Sequence, residues 1–170
     1  MGYNLSMGQA VYATGDQLTH ALRELGVNFI LGGTAKIENL QPQPASLIAA
    51  LANSDEARLR LSLVPLFLEH PEFAEYAQNA AELLEPQARI TLQCYFSAAL
   101  WLGQIYCTPK ISLPDLFSDE LKLSPGIDPE INLHALAHRH GELTGMQINW
   151  LGTYKHAAQV WLASLEFDRG

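Results

Sequence analysis

The stretch "HALAHRHGELTG", His134 to Gly145, gathers three of the chain's six histidines with an arginine and a glutamate. Imidazoles at neutral pH can ligate metals, move protons or hold a ligand. On a helix advancing about 100° per residue, the stretch divides into two sets. His134, His138 and Glu142 form one stripe, each a turn from the next. At this spacing two imidazoles and a carboxylate can share a divalent metal. The rival reading is a row of solvated histidines near a helix C-terminus, where the macrodipole favours them mildly. His140 falls instead among Leu133, Leu136, Ala137 and Leu143. It reads as a core histidine bonded through both ring nitrogens, or as a pocket residue with a shifted pKa.

"NWLGTYKH", Asn149 to His156, opens the last helix with a tryptophan, a glycine and a tyrosine in close succession. Gly152 inside a helix costs roughly 1 kcal/mol against alanine, so the sequence predicts close approach of another helix or of a ligand there. A pocket between the last two helices would use His140, Tyr154 and His156, with Arg139 as an anion contact. The i, i+4 histidine pair resembles that of the zincin His-Glu-x-x-His helix. Ala135 stands where that motif carries its glutamate base, so no hydrolytic activity is implied.

Two further resemblances concern catalysis. "LTHALRELGV" leading into "FILGGTA" is similar to the start of the minimal nucleotidyltransferase fold, over about 25 residues. That family holds magnesium on paired aspartates after the glycines, whereas "TAKIENLQPQP" offers Glu38 and no Asp-x-Asp. The HEPN ribonucleases are helical bundles with an arginine followed, after four to six residues, by a histidine. No arginine here has a histidine at that spacing. Gly-x-Ser-x-Gly is also absent, and both cysteines, Cys94 and Cys107, fall in the most apolar helix.

These residues must be positioned by helices. Thr14-Gly-Asp-Gln17 has the form of a capping box, with Leu18, Ala21, Leu22 and Leu25 following at helical spacing up to Gly26. The β-branched run after Gly26 predicts a short extended or strand-like segment near residues 27–32. Pro44 opens a helix carrying Leu47, Ile48 and Leu51. Asn53 to Glu56 caps a third, running through Leu59, Leu63, Leu66 and Phe67, which Pro65 should kink or end early. A fourth begins at Pro71 and carries Phe73 through Leu84. The fifth, from Pro86 to Tyr106, is apolar nearly all round and is expected at the centre of the bundle. One or two turns capped by Ser112 are expected before Leu121. The last two helices are placed at about Asp128 to Leu143 and Gln147 to Phe167.

The fold class that follows is all-α: a compact irregular bundle of about seven helices in a single domain, residues 1–170, with disorder confined to the ends and to residues 1–12 in particular. Hydrophobic residues make up 48% and charged residues 16% of the 170, which suits one packed core. The net charge of −8 opposes nucleic-acid binding. Arg58, Arg60 and Arg139 are the basic residues such binding would have to use. No secretory signal is visible and the longest apolar run is too short for a membrane span, so the expected compartment is the cytoplasm. The sequence therefore favours a non-catalytic module that binds another protein, as one member of an operon-encoded pair. Its alternative is an enzyme or small-ligand binder with a pocket between the last two helices, and nucleic-acid binding comes third.

Overall fold

The computed structural model describes residues 14–27 and 43–169. Among them the chain is all-α, with no strand. The expected extended segment lies, beyond Val27, outside the described residues, as do residues 1–12.

Helix α1 (Gly15–Glu24) begins with the predicted capping box. Thr14 Oγ1 accepts from the Gln17 N–H at 3.1 Å, and Gln17 Oε1 accepts from the Thr14 N–H at 3.1 Å. It ends where Gly26 turns left-handed (φ 80°), and the Val27 N–H reaches back to the Leu22 carbonyl. Helix α2 (Pro44–Ala52) starts on its proline and buries Leu47, Ile48 and Leu51.

The third expected helix is two short ones, α3 (Ala57–Leu61) and α4 (Leu63–Glu69), broken at Ser62. Pro65 ends the expected helix early, its ring barred from the Leu61 carbonyl four residues back. It sits in the first turn of α4, where a missing N–H costs nothing. His70 ends α4 and ties it to α1, one ring nitrogen bonding the Leu25 carbonyl and the other the Glu72 carboxylate.

The segment after Pro71 also differs from expectation. It forms a 3-10 helix over Pro71–Tyr76 before continuing as α5 (Ala77–Glu82). The turn expected to be capped by Ser112 is shorter and later, α7 (Ser118–Leu121), where Asp115 Oδ1 accepts from the Ser118 N–H at 3.2 Å.

Helix α6 (Pro86–Tyr106) runs through the middle, as its uniform hydrophobicity requires. Every residue from Leu92 to Gly103 is buried. It packs chiefly on α8 (Pro129–Thr144) and α4, and also on α9 (Trp150–Arg169) and α2. Phe96 meets Phe67 of α4 and Phe117 edge-on at centroid distances of 4.8 and 5.5 Å, geometry that favours the rings' quadrupoles. At the far end Gly103 lets the incoming loop pass against the helix. A Cβ there would lie 3.0 Å from Ile111 Cβ and 3.2 Å from the Ile111 carbonyl oxygen.

Caps and side-chain bonds fix α8 and α9, the helices that carry His134, His138, His140 and His156. Asn132, buried in α8, exchanges hydrogen bonds with the Gly126 carbonyl (2.9 Å) and N–H (2.8 Å), and Asp128 caps the helix through the Glu130 N–H at 2.9 Å. Gly145, left-handed at φ 68°, closes α8 with its N–H on the Gly141 carbonyl at 2.9 Å. Lys155 and Trp161 then bond Glu130 of α8 and Glu69 of α4, holding α9 against both. No helix among the described residues is long and apolar enough to cross a membrane.

Candidate functional site

A half-open cleft of about 470 Å³ lies where the ends of α2 and α3, the first half of α6, the end of α8 and the start of α9 meet. Small-molecule sites usually measure about 300–1,000 Å³. Its wall is mostly apolar, including Ala57, Leu61, Ala88, Met146 and Ile148, with an aromatic group formed by Tyr95, His140 and Trp150.

His140 reaches this wall because the α8 periodicity turns it inward with Leu133 and Leu136, leaving it 2% exposed. Trp150 lies flat against it, the ring centroids 3.6 Å apart and the planes 16° apart. Tyr95 presents its edge at 5.7 Å. Beneath, His140 Nδ1 is 2.6 Å from the Tyr154 hydroxyl.

That last contact decides a tautomer. Tyr154 is fully buried, and among the described residues His140 Nδ1 is the hydrogen-bonding partner of its hydroxyl. A buried O–H left without an acceptor would cost about 1–3 kcal/mol, so the tyrosine donates and Nδ1 accepts. Burial lowers the His140 pKa to about 4 and raises that of Tyr154 well above its ordinary value, so both groups are neutral near pH 7. The imidazole hydrogen then resides on Nε2, which makes His140 a hydrogen-bond donor for the cleft. Burial likewise pushes Tyr95 up to about 12, against the opposing pull of the Arg60 cation.

Arg60 is the charged residue of the lining, which contains no aspartate or glutamate among the described residues. One of its nitrogens donates to the Ser54 carbonyl at 2.7 Å. The hydroxyls of Thr91, Thr144 and Thr153, also in the lining, donate back to carbonyls of their own helices, at 3.3, 2.9 and 3.0 Å.

The predicted ligand residues divide. His140 lines the cleft, and Tyr154 sits behind it as the group that orients it. His156 is exposed and Arg139 points elsewhere, and neither belongs to the lining. Arg139 Nε donates to the Leu121 carbonyl at 2.8 Å, capping α7, and its Nη1 bonds Glu142 at 3.2 Å. Gly152 is not in the cleft lining, and its nearest neighbour is the cap of its own helix. A Cβ there would lie 2.7 Å from the Asn149 side chain, whose Oδ1 caps α9 by accepting from the Gly152 N–H at 2.9 Å.

The metal stripe is not drawn together. His138 and His134 are well exposed and each faces its own glutamate at 3.8 Å, Glu142 and Glu130 respectively. Glu142 is also engaged by Arg139, and the group arriving from another helix, Lys155 on Glu130, is a cation. No group of three or more potential metal-ligating side chains occurs among the described residues. Arg58, Arg60 and Arg139 likewise have separate partners: Arg58 pairs with Glu56 at 2.9 Å.

The cleft residues that spacing did not reveal are Arg60, Tyr95 and Trp150. Arg60 stood out only as a positive charge, and Tyr95 only as part of an apolar helix. Trp150 alone had a local signal, its place in "NWLGTYKH".

No protein family, no curated protein and no solved structure matches the chain.

Proposed function

We propose that this protein binds a small organic molecule in the cleft between α2, α3, α6, α8 and α9. The observation that carries the reading is the His140 imidazole, fixed as an Nε2–H donor by a buried tyrosine and by stacking on Trp150, in the wall of a cleft of small-molecule size. A few oriented polar groups in an apolar wall give a pocket both affinity and orientation. On this reading the site predicted between the last two helices extends to α2, α3 and α6, and Tyr95 and Arg60 serve it in place of His156 and Arg139.

The test is a fragment screen by two-dimensional NMR on the 15N-labelled protein. Fragments are expected to move the Trp150 indole and Thr91 amide signals together. A screen in which compounds move only signals remote from the cleft would sink the reading.

A protein partner is the second reading, favoured by Ile127 and Ile131. These stand 100% and 66% exposed, four residues apart, at the entry to α8. A pull-down that recovers the same partner with the Ile127→Ser, Ile131→Ser protein as with the wild type would remove this face from consideration.

A further inference from the structure

Resting on the reading of the cleft as a small-molecule site, we infer that its ligand is an organic anion with a carboxylate head, seated on the Arg60 guanidinium and on the Nε2–H of His140.

The argument begins with charge. The chain carries 18 acidic side chains against 10 basic ones, yet the described lining of the cleft has one arginine and no carboxylate. Arg58 and Arg139 each pair with a glutamate. Arg60 has no carboxylate partner among the described residues, and its protein acceptor is a neutral carbonyl, that of Ser54. A guanidinium has five N–H donors in a planar fork, so donors remain for a ligand. A cation at an apolar wall gains most from an anion that matches this fork, and a carboxylate does so with two parallel hydrogen bonds.

Hydrogen-bond polarity points the same way. Tyr154 uses the Nδ1 lone pair, so His140 offers the cleft a donor. The lining threonines have spent their hydrogens on backbone carbonyls and offer lone pairs alone. Arg60 is the charged donor, the neutral donors of the lining include the His140 and Trp150 ring N–H groups, the Tyr95 hydroxyl and the Asn53 and Gln87 amides, and an acceptor-only group such as a carboxylate suits Arg60 and His140 together. An ammonium head would meet the Arg60 cation with no carboxylate in the lining to offset the repulsion. The apolar side chains Leu61, Met146 and Ile148 leave room for an uncharged body behind the head.

The experiment is an NMR titration of the full chain with benzoate, phenylacetate and hexanoate, each beside its primary amide and its matching amine. At least one carboxylate is expected to bind in the cleft about tenfold or more tightly than its amide, as charge-assisted hydrogen bonds require. R60Q should erase that preference, and R60K should retain part of it. Because the Arg60 side chain bonds a loop carbonyl and no helix among the described residues, a thermal melt of R60Q serves to show that the variant is folded. Amides or amines binding as tightly as the acids, or a preference that survives R60Q, overturns the anion assignment while leaving the cleft a ligand site. If none of the nine compounds moves the cleft signals, this inference fails for these carboxylates, and the fragment screen above decides separately on the underlying reading.

Discussion

With Tyr154 sealed from water, its hydroxyl hydrogen goes to His140 Nδ1, and the imidazole is held as the Nε2–H tautomer. Long-range 15N–1H spectra of the imidazole should show an unprotonated Nδ1 and a protonated Nε2 at neutral pH. The low pKa has a thermodynamic consequence. In the unfolded chain this histidine takes its proton near pH 6.5, but in the fold only near pH 4. Between those values the unfolded state binds more protons, so the stability linked to His140 is fully present above pH 6.5 and lost as pH falls toward 4. The size is on the order of 3 kcal/mol. Chemical denaturation at pH 7 and pH 4.5 measures it, and in His140→Phe this part of the pH dependence should vanish. Tyr154→Phe keeps the ring packing and removes the donor. It should cost about 1–3 kcal/mol and release the tautomer, since Nδ1 then loses its buried partner.

The helices hold these residues through contacts that depend on single positions. Gly103 of α6 admits the Ile111 backbone, and a methyl group at 103 would press on both the Ile111 Cβ and its carbonyl. Gly103→Ala is therefore expected to destabilise by about 1–3 kcal/mol. Gly141 of α8 makes the useful contrast, because a Cβ there would sit 3.7 Å from the Trp150 ring, an ordinary contact. Gly141→Ala should be neutral or stabilise by up to about 1 kcal/mol, through helix propensity. Melting curves of the two variants side by side separate a packing glycine from a merely tolerated one. Arg139 belongs at this scale too: its bond to the Leu121 carbonyl makes it the cap of a neighbouring short helix.

At the scale of the whole molecule, the solvent face of α8 adjoins the cleft, since a shallow depression lined by His138 and Glu142 shares Met146, Ile148 and Trp150 with it. His134 and His138 face individual glutamates across exposed contacts, which contribute little. His138→Ala is expected to shift stability by less than about 0.5 kcal/mol, and a chelator to leave the melting temperature where it was. A fall in Tm on chelation, together with zinc or nickel in elemental analysis, would reverse that conclusion. The all-α architecture could be read from the sequence because its causes are local. Capping residues, starting prolines and 3.6-residue periodicity set the helices, and the nearly all-round apolar surface of residues 90–105 placed α6 at the centre. Half of "HALAHRHGELTG" could be resolved the same way, since periodicity alone put His140 inside and His134 and His138 outside. The cleft could not. Arg60, Tyr95, His140 and Trp150 come from four helices whose mutual placement depends on long-range packing, and a pattern within one helix says which way a side chain faces but never what stands opposite.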